Sequence, residues 1–445
     1  MRSIILIAFY MFFLVMGCSA AFVFALGYIW VDLFSPQQVG YSIINQIPVS
    51  MIIGAAAIFG YVLFDRRNPP RFVLGLWLII FWAIWITLTT LWAEIPVAAW
   101  EKWDWAIKTI VFAAFLPFVI RSRVQIEAMI LTIVLSLSGT VIAAGVATLL
   151  TGGGYQTRLG LISGNSGLAE GSTLATSSIA MIPLILYARK HSILIPRHWL
   201  FDWFCYGLIG ASVLTAFGTF ERTGIVAMAV LGLFLWAQSK HKVMFGTLGL
   251  AAAAIGFTVM SGDWFDRMST ISNFQVESSA LTRIAVWMWT LQYAAAHPFG
   301  GGFAVYLLDT FRVPIKGTGD FLEINARAFH SIYFEVLGEQ GIFGFGIFAS
   351  MIACMFVYLR SVQRACRSVP ADAWLYELAR ALTISAAVYL AGGAFVGIAF
   401  QPLFYYWFAG AICLHQYVAR ARAISAAAVP ARSANGLHAS QILPA

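Results

Sequence analysis

Charged residues are scarce in this sequence, since Asp, Glu, Lys and Arg make up 10% of its 445 residues and hydrophobic residues make up 61%. A typical soluble domain carries about 25% charged residues, so a soluble globular fold is excluded. Apolar runs of about 20 residues, enough to cross a hydrocarbon core of about 30 Å, recur almost from end to end. We therefore predict an all-α polytopic membrane protein with about 12 transmembrane helices. The predicted spans lie near 4–30, 43–64, 72–92, 105–120, 124–150, 171–188, 199–217, 222–238, 243–260, 330–359, 378–397 and 400–419.

Cysteine and clustered metal ligands are also scarce. The five cysteines are scattered and have neither CxxC nor Cys/His spacing, which excludes a disulfide framework and a cysteine-based metal site. They are Cys18, Cys205, Cys354, Cys366 and Cys413. There is no DxD pair and no HExxH motif, and the carboxylates of the predicted outer loops are dispersed, whereas a hard metal ion needs several converging oxygen ligands. We predict chemistry without a metal or cofactor.

Acidic residues are too few to balance the basic ones, and the formal net charge is +8. The basic residues cluster in alternate short loops, which with these spans all fall on one side: Arg66, Arg67 and Arg71; Arg121 and Arg123; Arg189, Lys190 and Arg197; Lys240 and Lys242; Arg360, Arg364 and Arg367; Arg420 and Arg422. The positive-inside rule makes that side cytoplasmic. We predict that both termini are cytoplasmic, that the N-terminal run is a retained helix, and that nucleic acid is not a partner.

The spans divide the chain into four parts. Residues 1–260 hold transmembrane helices 1–9, residues 261–329 form a large outer loop, residues 330–420 hold helices 10–12, and residues 421–445 form a tail that we predict to be disordered. A long loop in a compact protein is usually functional. Within it, residues 278–296 have the aromatic-rich amphipathic pattern of a helix lying along the membrane interface, with Ser278 and Ser279 as candidate N-caps.

Four cationic or titratable residues stand at the predicted outer boundary of the membrane: Arg222, Arg283, Arg327 and His330. Arginine binds phosphate through bidentate, charge-assisted hydrogen bonds, and histidine accepts a proton near neutral pH. Together they predict a site for a phosphorylated lipid with a base nearby. The alternatives are arginines that only snorkel to headgroups and a histidine that only caps a helix.

Two further segments have both a functional and a structural interpretation. The run "HPFGGGF" (residues 297–303) could cradle a diphosphate through backbone N–H groups, or it could be an ordinary Pro/Gly turn. Glu335 and Glu339 lie four residues apart on one helix face, and Glu339, next to the break in "GEQG", ranks as a possible supporting residue.

Three segments together resemble a known family. They are "FGTFERTGIVAM", "RIAVWMWTLQYAAAHPFGGGF" and "HSIYFEVLGEQGIFG", in this order. They resemble the O-antigen ligase and polymerase superfamily of bacterial envelope glycosyltransferases. "WVDLFSPQQVGY", "WAEIPVAAWEKW", "TLLTGGGYQTRLG" and "RMSTISNF" look like the branch of exosortase-associated O-glycosylation ligases.

The resemblance implies a twelve-helix, inverting, metal-independent glycosyltransferase of the bacterial inner membrane with its site on the periplasmic side. The donor would be a glycan on undecaprenyl diphosphate, and the acceptor a lipid A core, a protein or another glycan. Arg222 and Arg283 would hold the diphosphate, and His330 would activate the acceptor hydroxyl. The family usually has a serine immediately before the first arginine, whereas this sequence has Glu221 before Arg222. The Glu221 carboxylate could orient the arginine or lower its effective charge.

Three other functions remain open at this point. A polymerase of lipid-linked repeat units would share the same motifs. A transporter or flippase is disfavoured because the predicted spans carry charges almost only near their ends. A metal-dependent lipid-phosphate glycosyltransferase could use Asp32 as its base, although no paired acid accompanies it.

Overall fold

The computed structural model describes residues 2–40, 44, 46–65, 72–154, 167–244, 278–314 and 321–438, together with isolated positions between 246 and 254. The helices and strands are α1 Arg2–Ser19, α2 Phe22–Phe34, α3 Pro36–Val39, α4 Val49–Phe64, α5 Leu74–Leu91, α6 Pro96–Val119, α7 Arg123–Thr151, α8 Gly171–Ala180, α9 Ile182–His191, α10 Trp199–Gly218, α11 Arg222–Gln238, α12 Ser278–Ala296, β1 Thr310–Pro314, β2 Phe321–Asn325, α13 Ile332–Cys366, α14 Ala373–Gly393 and α15 Pro402–His438.

The described part of the chain is a helical membrane protein. By length and composition, five stretches are able to cross a membrane: α5, α7, α8 and α9 together, α10, and α13. The apolar helices α1, α2, α4 and α11 are shorter. The predicted total of 12 spans remains a prediction. The predicted span 243–260 lies mostly outside the described residues, as does the basic cluster Arg66, Arg67 and Arg71.

The core of the bundle is built around α15. Every residue from Leu403 to Leu414 is buried, including five consecutive aromatic side chains at 404–408. A helix that is apolar on all sides is stable only when neighbours surround it. Trp82 on α5 donates to the hydroxyl of Tyr405 at 2.9 Å, so even this core satisfies some of its polar groups internally.

The N-terminal run 4–30, predicted as one span, is a helical hairpin. α1 runs antiparallel to α2, because Phe13 stacks on Trp30 and the Tyr10 hydroxyl donates to the carbonyl of Val49 beside the end of α2. Gly17 packs directly on Phe24 near the turn. The prediction missed the turn because apolar residues flank it on both sides, and hydropathy alone does not locate a break between two apolar helices.

The hairpin also corrects the predicted placement of the N-terminus. The C-terminal end of α2 and the N-terminal end of α1 lie at one end of the bundle. The segments that precede α8, α11, α13 and α15 lie at this same end. We call this the outer end, the side that the sequence predicts to face the periplasm. At the opposite, inner end, Arg123 donates to His191 and Arg420 donates to Arg121, so basic loops meet there as the charge pattern predicts. α15 ends on that inner side, opposite to the start of α1.

Between α12 and α13 the chain is not purely helical. Strands β1 and β2 pair antiparallel, with Thr310 opposite Asn325, inside the region predicted to be an outer loop in an all-α protein. The sequence did not predict this hairpin, because its strands are only five residues long and their pairing depends on a contact between two segments. The predicted helix over 278–296 is present as α12, and its apolar residues Ile284, Met288 and Leu291 are exposed on one face. The caps proposed for Ser278 and Ser279 depend on side chains outside the described set.

The C-terminal segment also differs from the prediction. α15 continues to His438, through most of the segment 421–445 that the composition predicts to be disordered. The alanines of "ARAISAAA" favour a helix intrinsically, and this outweighs the lack of an apolar pattern.

Candidate active site

The candidate active site is built around His330, which lies just before the first turn of α13. Its backbone adopts a positive φ of 47°, which is uncommon for a residue with a side chain. The preceding Phe329 is buried, and its carbonyl accepts a hydrogen bond of 2.8 Å from the indole N–H of Trp287 on α12. Trp287 also stacks on Phe334, one turn into α13. These contacts hold the backbone on both sides of His330 against α12.

Arg283, one turn before Trp287, is the predicted partner that this packing brings to His330. Burial lowers the pKa of His330 below its ordinary value, and the positive charges of Arg283 and Arg327 lower it further. Glu335 acts in the opposite direction and raises that pKa. The net result is an imidazole that is neutral, and so able to accept a proton, at neutral pH.

Arg327 reaches this group from the end of the β-hairpin. Its side chain is exposed, while its backbone N–H donates to the carboxylate of Asp309 at 2.9 Å. The N–H of Ala326 donates to the Asp309 carbonyl at 3.1 Å, which closes the base of the hairpin. Burial raises the pKa of Asp309 to about 6, despite the hydrogen bonds that it accepts. Asp309 therefore fixes the backbone from which Arg327 and His330 project.

A lysine that the sequence did not predict, with its side chain 18% exposed, joins the two glutamates in the first turns of α13. The Lys102 ammonium on α6 lies 2.7 Å from Glu335 and 2.9 Å from Glu339. It also faces the rings of Phe303 and Phe400, with centroids at 5.5 and 4.9 Å. A sequence signal did exist, since two carboxylates on one apolar helix face need a cation, but nothing local indicates which one.

The remaining carboxylate oxygens of this network are also satisfied. Glu339 accepts from the backbone N–H of Ala304 at 3.0 Å, and Glu335 accepts from that of Ala399 at 3.0 Å. Lys102 thus ties α6, α13 and the segments before β1 and α15 into one unit. Buried charges are tolerated when they are paired and fully hydrogen-bonded in this way. Glu339 is therefore a structural partner of Lys102, and its supporting role in the site stays a prediction.

The glycine run at 297–302 packs on a break in α13 at Gly341, whose φ is 69°. The N–H groups of Gly301 and Gly302 donate to the carbonyls of Gly338 and Glu339, and the N–H of Ile342 donates to Pro298. These N–H groups are already paired within the protein. The run is therefore a docking turn, and the alternative interpretation as a diphosphate cradle is not supported.

Arg222 and Glu221 lie at the start of α11, in a second group at the outer end. Glu221 accepts a hydrogen bond of 3.1 Å from the hydroxyl of Ser172 in the first turn of α8. Glu170, the N-cap of α8, has its pKa raised by burial and, to a smaller extent, by the Glu221 carboxylate. The charges that act on His330 are Arg283, Arg327 and Glu335. The structure thus brings Arg283, Arg327 and His330 together, and it places Arg222 beside a pair of carboxylates.

Asp32, considered as a base in a metal-dependent alternative, lies near the end of α2. Its carboxylate accepts hydrogen bonds from the hydroxyls of Thr109 and Tyr406. Within the described ranges, no three His, Cys, Asp or Glu side chains converge in a way that could hold a metal ion.

Two parts of the chain match known families. Residues 207–349 match the family described as O-antigen ligase, and this interval contains Arg222, Arg283 and His330. Residues 1–193, which include Lys102, match a family of unknown function. No curated protein is similar enough to match the chain. Residues 207–349 thus form a domain of the O-antigen ligase family.

Proposed function

We propose that the protein is an inverting, ligase-type glycosyltransferase that moves a glycan from undecaprenyl diphosphate to an acceptor hydroxyl. The observation that carries the proposal is that His330 and Arg283 lie close together at the outer end of the bundle, within the residues that match the O-antigen ligase family. This match supports the processing of lipid-linked glycans. The donor, the acceptor (a lipid A core, a protein or another glycan) and the exosortase-associated branch are part of the proposal.

The proposed reaction needs a base and a stabilised leaving group. His330 takes the proton of the acceptor hydroxyl as its oxygen bonds to the anomeric carbon. The bond from that carbon to the diphosphate oxygen breaks, and the electron pair leaves with undecaprenyl diphosphate. Attack opposite to the leaving group inverts the anomeric configuration. The diphosphate is already an activated leaving group, so the protein must position the reactants and neutralise charge.

Charge neutralisation falls to Arg283 and Arg222. Helices α8, α11 and α13 all begin at the outer end, and the positive ends of their dipoles favour an anion there. A guanidinium remains protonated throughout and can bind two phosphate oxygens at once. We propose that this chemistry needs no metal ion and takes place at the periplasmic face of the bacterial inner membrane, with membrane lipids surrounding the bundle.

The test is transfer by the purified protein from a lipid-linked oligosaccharide, with His330→Ala and Arg283→Ala as variants. We expect the rate to fall about 10²–10⁴-fold for His330→Ala and about 10²–10³-fold for Arg283→Ala. The matched controls are His297→Ala, an exposed histidine on the same side, and Arg364→Ala, an exposed arginine at the inner end. Both controls should transfer at the wild-type rate.

The products decide between the proposal and its alternatives. A glycan joined to a final acceptor supports the ligase. Longer lipid-linked chains would instead identify a polymerase, and movement of the intact lipid-linked glycan across a vesicle membrane without bond cleavage would identify a flippase. If both active-site variants transfer normally, the proposed site is wrong.

A further inference from the structure

A cavity of about 310 Å³ lies at the outer end, separate from His330. Helices α2, α6, α7, α8, α14 and α15 contribute to its walls. Its rim includes Trp105, which is 40% exposed, while the wall residues Thr173 and Ser177 on α8 are buried. This volume lies at the lower end of the range of about 300–1,000 Å³ usual for small-ligand pockets.

The lining of the cavity combines polar side chains with apolar ones, among them Val31, Leu137 and Leu403, and has little net charge. Three amide side chains, those of Gln37, Gln38 and Gln401, face it, and each can both donate and accept hydrogen bonds. The Asp32 carboxylate adds an acceptor that Thr109 and Tyr406 hold in place. Aromatic faces come from Tyr28 and Trp105. Mixed donors and acceptors beside an aromatic face suit a ligand with several hydroxyl groups and an apolar C–H face.

Other classes of ligand fit this lining less well. A metal cation would find a single carboxylate that already accepts two hydrogen bonds. An anion would face that same carboxylate, and the rim lysine Lys108 is paired with Asp104 at 2.6 Å. An alkyl chain would remove water from Asp32 and the glutamine amides without replacing their hydrogen bonds, which is unfavourable.

The walls of the cavity connect to both groups of candidate catalytic residues. Thr173 follows Ser172, which donates to Glu221 next to Arg222. On the other side, Gln401 belongs to the segment whose Ala399 N–H donates to Glu335, the carboxylate that acts on His330. A ligand in the cavity would therefore contact segments that also bear on each of the two groups.

We propose that this cavity is a subsite for one sugar residue, with Trp105 against the sugar ring and Gln401 hydrogen-bonded to its hydroxyls. The role of this subsite rests on the proposed function, glycosyl transfer. The chemistry of the lining supports sugar binding independently of that function. The sugar belongs either to the donor or to the acceptor, since both have the same chemistry. Binding here would place that glycan relative to His330 without taking part in bond cleavage.

The first experiment is saturation-transfer NMR on the purified protein in amphipol, which carries no sugar headgroup. Glucose, galactose, rhamnose and N-acetylglucosamine are offered separately. We expect at least one of them to receive saturation from the wild type, and Trp105→Ala and Gln401→Ala to abolish the signal. Trp100→Ala is the matched control, because Trp100 lies on the same helix and is 41% exposed but is not part of the cavity. Size-exclusion chromatography checks that each variant is folded.

The second experiment measures transfer kinetics for the same variants. Trp105→Ala should raise the KM for one glycan substrate by roughly 3- to 10-fold with little change in kcat, and the substrate affected identifies the source of the sugar. No saturation of any sugar, an equal loss in Trp100→Ala, or unchanged KM values for both substrates would overturn the proposal. If the wild type binds sugar through Trp105 but transfers no glycan, the subsite stands and the proposed function falls.

Discussion

At the scale of single residues, the site depends on which groups carry charge. His330 can act as a base only while neutral, and its pKa is lowered by burial and by Arg283 and Arg327. A lowered histidine pKa means that the protonated form is disfavoured in the folded state. Stability should therefore decline as the pH falls below the ordinary histidine value of 6.5, and activity should decline at lower pH, as the pH falls through the lowered pKa of His330 in the folded protein.

The effect of Arg327 on this titration can be tested. Removing its positive charge in Arg327→Gln should raise the pKa of His330, so the acid limb of kcat/KM against pH should move to higher pH. Because Arg327 is exposed, we expect the difference from wild type to shrink at high salt. Arg364→Gln, at the inner end, serves as the control. An acid limb that stays in place would show that Arg327 does not act on His330.

The buried network of Lys102 predicts an asymmetry between breaking and replacing it. Lys102→Ala leaves two carboxylates without their cation and should destabilise the protein by roughly 3–5 kcal/mol. A triple variant, Lys102→Met with Glu335→Gln and Glu339→Gln, should recover most of this loss. Lys108→Ala on the same helix removes only an exposed ion pair and should change stability by less than about 1 kcal/mol. Thermal unfolding in detergent measures all three, and wild-type stability of Lys102→Ala would contradict the prediction.

The sequence predicted a site that contains Arg283 and His330, and the structure brings these two residues close enough for their charges to interact. Their catalytic roles stay a prediction. Lys102 was not predicted, because its partners Glu335 and Glu339 are more than 200 positions away in the sequence. A single lysine between tryptophans in "AWEKWDW" has the local appearance of an interfacial residue. Only the tertiary packing of α6 on α13 identifies it.

At the scale of elements, the break in α13 is the feature that most clearly requires particular residues. Gly341 has a φ of 69° and a ψ of −174°, a conformation open almost only to glycine. A Cβ there would lie 2.3 Å from the backbone of Gly300 and Pro298. The close approach of the glycine turn and the break in the helix are therefore one structural feature.

Gly341→Ala should destabilise the protein by at least about 1–3 kcal/mol through backbone strain, before the steric overlap is counted. Gly346→Ala is the matched control on the same helix, because a Cβ there meets nothing within 4 Å. It should be neutral or stabilising by up to about 1 kcal/mol, since alanine is the better helix former. Equal thermal stability of the two variants would contradict this account.

The accuracy of the predicted elements follows from the strength of their local patterns. α5 and α7 lie within a few residues of the predicted spans 72–92 and 124–150, because long apolar runs bounded by charges identify themselves. The turn between α1 and α2 and the pairing of β1 with β2 were missed. Both depend on contacts between segments, which no local pattern records.

At the scale of the whole molecule, the α1–α2 hairpin makes a prediction about topology. Ser3→Cys, in a background where the exposed Cys18 is replaced by Ala, should be labelled from the same side as Gln38→Cys. Arg364→Cys should be labelled only from the opposite side. A membrane-impermeant maleimide applied to intact spheroplasts and to lysed ones distinguishes the two sides. If Ser3→Cys is labelled from the same side as Arg364→Cys, the N-terminal run is a single span and the hairpin is wrong.

The attachment of α12 to α13 at both of its ends has a consequence for the dependence on lipid. The hydrogen bond from Trp287 to Phe329 fastens α12 to the segment just before α13. The hydrogen bonds of the glycine turn fasten the end of α12 to α13 at Gly341. A thicker or thinner bilayer changes the tilt of membrane helices. Since α12 and α13 are fastened together, such a tilt should carry Arg283 and His330 along as one body. The spacing between them should therefore be independent of acyl-chain length, and changes in lipid should act on substrate access instead.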